Sequence, residues 1–146
     1  MTFFLIGMSL DLIYTSEDKI ICLSPYNSNT KVPAAMRSGL KLVRDVAYDG
    51  ADDSLFYIHS ENWDSDISIK RTKLHNNNAS INTIAQASDL SGSIDQLAID
   101  WISKKIYFRD FDSHSIELIQ YDGSYRRVLV SELDRPGGMA LLPQKG

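Results

Sequence analysis

The chain has 146 residues, 43% of them hydrophobic and 23% charged, which suits one globular domain able to bury roughly 68–70% of its unfolded surface. With 15 basic against 19 acidic side chains and a net charge of −4, it lacks the phosphate-neutralising surface that nucleic acid requires. Its single cysteine, Cys22, excludes an internal disulfide and a multi-cysteine zinc site, and the opening apolar run Phe3-Phe4-Leu5-Ile6 falls far short of the roughly 20 residues of a membrane span.

The first residues make a weak signal peptide, because Met1-Thr2 carries no basic side chain and Asp11 follows soon after a short apolar run. A secreted chain would therefore need a targeting segment upstream. From there on, turn residues recur at short intervals: Gly7, Pro25 to Asn29, Gly50 to Asp53, Asn76 to Asn78, Gly92, Gly123, and Pro136 to Gly138. Between them lie runs of four to eight residues rich in Ile, Leu, Val, Tyr and Phe, the signature of short strands. Asn82 to Leu90 could add a helical turn, but the β-branched Thr83 and Ile84 and the polar Ser88 oppose it. The pattern predicts an all-β chain.

It also repeats. Val46-Ala47-Tyr48-Asp49 stands against Leu97-Ala98-Ile99-Asp100 at an offset of 51, and Leu55-Phe56-Tyr57 meets Ile106-Tyr107-Phe108 at the same offset. A fainter copy starts at Phe4-Leu5-Ile6, and another opens at Met139-Ala140-Leu141-Leu142, for a mean period between 46 and 47. Each unit runs from a short strand ending in Asp through a loop, an aromatic strand and two further strands. In the clearest unit those last two strands, Ile116 to Tyr121 and Arg127 to Val130, flank the hairpin signal Asp122-Gly123. Four antiparallel strands at this period predict β-propeller blades, here over 3–36, 42–87 and 94–131, with a further blade opening at 138–143 in one partial propeller domain. A β-sandwich would need similar strands but gives no reason for the repeat. Blades stack face to face, so the aromatic strands Leu55-Phe56-Tyr57-Ile58 and Ile106-Tyr107-Phe108 should be buried on both sides and read as unbroken apolar runs.

Leu97-Ala98-Ile99-Asp100-Trp101, then Ile106-Tyr107-Phe108-Arg109-Asp110, then Tyr121-Asp122-Gly123-Ser124-Tyr125-Arg126, resembles the Tyr-Trp-Thr-Asp repeat of low-density-lipoprotein receptor class B modules. Arg135-Pro136-Gly137-Gly138-Met139 looks like the opening of the following repeat. The resemblance marks Asp100, Trp101, Tyr107, Phe108, Asp110, Asp122 and Gly123 as structural motif residues. It implies a six-bladed propeller in the ectodomain of an endocytic or signalling receptor, of which about three blades are present. Phe108 and Arg109 stand where the motif has Trp and Thr, and His59 stands where it has Asp. In the family these positions knit blades together, so inter-blade contacts are expected to differ.

Chemistry-bearing clusters are sparse. Asp110-Phe111-Asp112-Ser113-His114 lacks the glycine and glutamate of a calcium loop, and Asp64-Ser65-Asp66 reads as an acidic surface turn. The three histidines, His59, His75 and His114, have no metal spacing, and no cofactor or metal is expected. Arg126-Arg127 reads as solvent-facing, blade-bridging charge. Asn78-Ala79-Ser80 is an N-glycosylation sequon, meaningful only in a secreted chain. The expected function is a non-catalytic extracellular protein-binding module, partnered by the remaining blades, by neighbouring cysteine-rich modules and by a protein ligand, with no nucleic acid and no membrane contact. A propeller hydrolase or lyase and a purely architectural spacer are the alternatives. Trp63, Asp64, Asp66, Asp112 and His114, on loops expected to share one face, are the candidate ligand residues, and Trp63 could equally pack back on Phe56 or Tyr57.

Overall fold

A computed structural model describes residues 4–6, 11–16, 19–23, 34–37, 40, 42–62, 65–76, 78–86, 88–90, 93–134 and 137–143. These residues form twelve strands in three four-stranded antiparallel sheets. The first sheet is β1 (Phe4–Ile6), β2 (Asp11–Ser16), β3 (Lys19–Leu23) and β4 (Ala34–Arg37), in that order. The second is β5 (Val43–Asp49), β6 (Ser54–Asn62), β7 (Ser65–Lys73) and β8 (Asn82–Ala85). The third is β9 (Ile94–Asp100), β10 (Lys105–Asp110), β11 (Ser115–Gln120) and β12 (Arg127–Val130). Every neighbouring pair in the second and third sheets is antiparallel, so each sheet is a meander of consecutive strands. The chain is all-β, built of β-propeller blades.

The sheets stack through two apolar seams. Between the first and second lie Ile13, Ile20, Val43, Val46, Leu55, Tyr57 and Leu74. Between the second and third lie Phe56, Ile58, Ile67 and Ile69 on one side, and Leu97, Ile99, Ile106, Phe108, Ile119 and Tyr121 on the other. Successive side chains of a strand point to opposite faces, so Leu55 and Tyr57 enter the first seam while Phe56 and Ile58 enter the second. That double coverage is why Ser54 to Ser60 are all buried and why β6 reads as an unbroken apolar run. Burying each such side chain contributes about 1.5–3 kcal/mol.

Polar contacts fix the direction of stacking. At one end, the Asp49 carboxylate at the close of β5 accepts from Lys104 Nζ (2.6 Å) and Tyr121 Oη (3.2 Å) of the third sheet. At the other, Arg44 Nη1 near the start of β5 donates to the Ile94 carbonyl at the start of β9 (3.3 Å). The two inner strands therefore run the same way. The β6–β7 and β10–β11 hairpins both project from the end where β5 and β9 begin.

As the β-branched Thr83 and Ile84 lead one to expect, the described residues of Asn82 to Leu90 hold no helix: Asn82–Ala85 is β8, and a turn closed by the Asp89 amide on the Gln86 carbonyl (2.8 Å) follows. Asp122-Gly123 lies in the connection between the last two strands, as expected, with β11 ending at Gln120, one residue earlier than the apolar run, and β12 beginning at Arg127. The chain turns tightly there, Gly123 N bonding the Gln120 carbonyl at 2.9 Å, while Tyr121 N still bonds the Lys104 carbonyl (3.1 Å) one step past the last ladder pair and its ring enters the seam. Among the described residues, the partners of Arg126 belong to its own blade, not to a neighbour as expected. Its guanidinium pairs within its own sheet with both oxygens of the buried Glu117, at 2.7 and 3.2 Å, and lies 5.7 Å over the Phe108 ring.

Candidate functional site

At the hairpin end of the third sheet, Asp110 is 1% exposed and works as a turn former. Its Oδ1 accepts the backbone amides of Asp112 (3.1 Å) and Ser113 (3.2 Å), which closes a four-residue tip between Asp110 and its ladder partner Ser115. His114 takes the left-handed conformation, φ 50°, and its amide bonds the Phe111 carbonyl. The tip is braced by connecting segments on both sides. Phe111 N donates to the Ser93 carbonyl (3.3 Å), Ser93 Oγ to the Asp112 carboxylate, and Leu133 N to the His114 carbonyl (3.0 Å). Phe111, Asp112, Ser113 and His114 are exposed on it, and the Phe111 and His114 rings meet edge to face with centroids 6.3 Å apart.

The second sheet solves the same position differently. His59 pairs with Ser68 as Asp110 pairs with Ser115, yet eight residues rather than four separate the partners. A histidine cannot accept two successive amides, so the ladder continues instead, through Ser60↔Ile67 to Asn62↔Ser65. His59 is 5% exposed, with Nε2 3.7 Å from Glu61 Oε1. Beside it opens a cleft of about 240 Å³ lined by His59, Glu61, Asp66, Ser68, Lys70 and Thr83 among others. Asp66 is exposed, with φ 57°. Trp63 and Asp64 lie outside the described residues.

The structure thus gathers Asp112 and His114 on one tip and sets Asp66 on the neighbouring hairpin at the same end. Phe111, 46% exposed beside two of the candidate residues, joins them on the tip, and the sequence gives no sign that it faces outward rather than into a seam. Among the described residues, no three His, Cys, Asp or Glu are grouped to hold a metal.

Among the motif residues, Asp100, Asp110 and Asp122 shape turns and Phe108 fills the seam. Asp100 Oδ1 accepts the amides of Ile102 (3.0 Å) and Ser103 (3.1 Å), and its Oδ2 takes the Ser103 hydroxyl. Burial raises its carboxyl, but these hydrogen bonds outweigh that and hold it below the usual carboxylate range. Trp101 next to it stands 46% exposed, Tyr107 is half-buried, and Phe108 is fully buried in the seam. Asp122 accepts the Ser124 amide (2.9 Å) and hydroxyl (2.6 Å), which lower its carboxyl. Gly123 has φ +88°, and a Cβ there would come within 2.6 Å of the Ile84 carbonyl oxygen on β8.

Strand β5 carries a further buried carboxylate, one outside the candidate and motif residues. Asp45, 3% exposed, accepts Leu97 N on β9 at 2.7 Å and its neighbour Val46 N at 2.9 Å. It lies at the repeat position of Gln96. In β5, with Arg44, Asp45 and Asp49 all charged, nothing in the sequence singles out Asp45.

No protein-family model matches the chain. It is 50% identical over 48 residues to the vitellogenin receptor of Solenopsis invicta, covering 33% of this chain and 3% of that receptor. It is 32% identical over 118 residues to low-density lipoprotein receptor-related protein 5 of Mus musculus, and 30% over 118 residues to that of Homo sapiens, covering in each case 74% of this chain and 7% of the relative. A chain in the crystal structure of a nidogen/laminin complex superposes with a TM-score of 0.69 at 28% identity, over 84% of this chain and 44% of that one. The chain belongs to the low-density-lipoprotein receptor class B repeat family.

Within that family the third sheet is the faithful blade and the second the divergent one. The class B aspartate at the end of the second strand forms the tip turn as Asp110, and its replacement by His59 accompanies the longer hairpin. The class B Asp-Gly-Ser-x-Arg stretch serves three ends here: Asp122 closes the turn, Gly123 clears Ile84, and Arg126 neutralises Glu117. The chain spans 7% or less of the length of the curated relatives named here.

Proposed function

We propose that the chain is part of a non-catalytic, extracellular protein-binding module of a low-density-lipoprotein receptor-related ectodomain. Its three blades, over 3–36, 42–87 and 94–131, join further blades in one propeller, of which 138–143 opens the next, and cysteine-rich modules flank it. The receptor relatives support the extracellular setting. A protein ligand meets the end of the sheets that carries the β6–β7 and β10–β11 hairpins. The observation that carries this reading is the β10–β11 tip: an aromatic, a carboxylate and an imidazole exposed together on a turn held by backbone hydrogen bonds to both flanking segments. A braced tip loses little conformational freedom on binding, and aromatic side chains beside polar groups supply the anchors of many interfaces.

The contact residues are Trp63, Asp64, Asp66, Asp112 and His114, with Phe111 added. Glu61, Asp66 and Asp112 make this end acidic, which suits a basic or mixed-charge ligand. The test is binding of a lysine-rich peptide and of its acidic counterpart to the completed propeller, by surface plasmon resonance. Binding of the basic peptide alone is expected, weakened at least fivefold by Phe111→Ala or by the pair Asp66→Asn and Asp112→Asn, with an unchanged thermal midpoint. Trp63→Ala separates contact from packing, since lost binding marks a contact and a lowered midpoint marks packing. Equal binding of both peptides, or of neither, overturns the charge assignment.

A further inference from the structure

The connection from β7 to β8 is an asparagine-rich turn at the opposite end of the second sheet. It is pinned to the β5–β6 turn through Asp53. The Asp53 carbonyl accepts Leu74 N (3.2 Å), and the Asp53 carboxylate accepts His75 N (3.2 Å) and meets His75 Nδ1 at 2.7 Å. Beyond that anchor, Asn76 shapes the chain: its Oδ1 accepts Asn78 N (3.0 Å) and its carbonyl accepts Ala79 N (3.0 Å). Thr72 Oγ1 then holds the Ser80 carbonyl at 3.2 Å and returns the chain toward β8. Asn78 and Ser80 are both exposed on this turn.

We propose that Asn78 is an N-glycosylation site whose glycan covers the end of the sheets opposite the ligand hairpins. Asn78-Ala79-Ser80 is the single sequon in the 146 residues, and it falls on a turn, where an acceptor asparagine can enter a transferase. The corresponding turn of the third sheet shows that this place faces solvent. Four residues past Leu74 stands Asn78, and four past Tyr121, which follows β11 as Leu74 follows β7, stands Tyr125, 77% exposed. In the modification, Asn78 Nδ2 forms a bond to the anomeric carbon of an oligosaccharide carried on a polyprenyl diphosphate. The carbon–oxygen bond to the diphosphate breaks, polyprenyl diphosphate leaves, and the amide gives up one proton. No oxidant or reductant is required. A glycan there would solvate the Asp53 end and restrict protein contacts to the hairpin end.

This assignment rests on the extracellular reading, and the experiment separates the two. The chain is translated with microsomal membranes in two forms, one behind its own upstream coding sequence and one behind a heterologous signal peptide. Both forms should be protected from added protease and show one endoglycosidase-sensitive mobility shift. Asn78→Gln and Ser80→Ala should abolish the shift, and Ser80→Thr should keep it. A protected but unshifted chain in the heterologous form, or a shift that survives Asn78→Gln, overturns the glycosylation site. An unprotected native-leader form beside a shifted heterologous form overturns the extracellular reading instead.

Discussion

Tyr121 of the third sheet donates its hydroxyl to Asp49 of the second, at 3.2 Å, across a seam where its ring also lies 4.3 Å from that of Phe56. Lys104 reaches the same carboxylate oxygen at 2.6 Å, so one buried acid joins the β9–β10 connection and the end of β11 to the end of β5. Burial, then the neighbouring Asp49 charge, push the Tyr121 phenol well above its ordinary range.

The first prediction follows from that shift. An acid whose pKa is raised by folding stabilises the fold fully below its unfolded value, here about 10, and loses that contribution as pH climbs toward the folded value. Stability should therefore fall above about pH 10, and Tyr121→Phe should flatten the fall. Tyr121→Phe itself should cost about 0.5–1.5 kcal/mol at neutral pH, and Asp49→Ala more, because it strands the buried hydroxyl. Denaturant melts between pH 7 and 11 check both, and an unchanged alkaline limb in Tyr121→Phe would contradict the assignment.

Asp45 should matter as much as any apolar core residue. Asp45→Ala leaves the amide of Leu97 without its acceptor inside the seam, a loss of about 1–3 kcal/mol. Asp45→Asn keeps an acceptor oxygen and should cost clearly less. Because asparagine offers one acceptor oxygen where Asp45 uses two, equal losses in the two variants would show that the Leu97 bond alone is not what the position supplies.

Gly123→Ala meets two obstacles together. Its φ of +88° disfavours any side chain, and the new Cβ would lie 2.6 Å from backbone that cannot swing aside. The expected loss exceeds about 1 kcal/mol, and Ile84 should report the disturbance by changed amide exchange. A silent substitution would mean that the seam opens freely at β8.

The outer strand β12 exposes Val128, Leu129 and Val130, each between 40% and 55%, along a ladder edge. The 146-residue chain on its own should self-associate or bind hydrophobic dyes. Val128→Lys combined with Val130→Lys should reduce both while changing stability by less than about 0.5 kcal/mol. Association that persists in the double variant would place the contact elsewhere.

The blades were legible because a period survives divergence: Asp49 and Asp100, like Phe56 and Tyr107, keep their offset even where their neighbours change. Burial of β6 on both faces was legible for the same reason, since an unbroken apolar run needs cover on two sides. Partnerships across the sequence were not. Glu117 and Arg126 become neighbours only through the β11–β12 register, and Asp45 finds Leu97 only when two blades stack. Asp122-Gly123 announced the turn and the apolar runs beside it bounded the two strands, but nothing local says that the Tyr121 ring packs on Phe56 across the seam. At the hairpin end, Asp112 and His114 could be named from their place on a loop, whereas Phe111 stands apart from the buried Phe108 only in the fold.

The β6–β7 hairpin continues three residues past His59 on each arm, while β10 stops at Asp110. At roughly 3.4 Å per residue, that sets its last ladder pair about 10 Å beyond the last pair of its neighbour. Every pair from His59↔Ser68 inward still matches its counterpart in the third sheet, so the added length disturbs neither seam. Arm length in a blade is thus uncoupled from the packing of the ring, and a foreign peptide grafted between Asn62 and Ser65 would be displayed on a rigid stalk without loss of the underlying sheet.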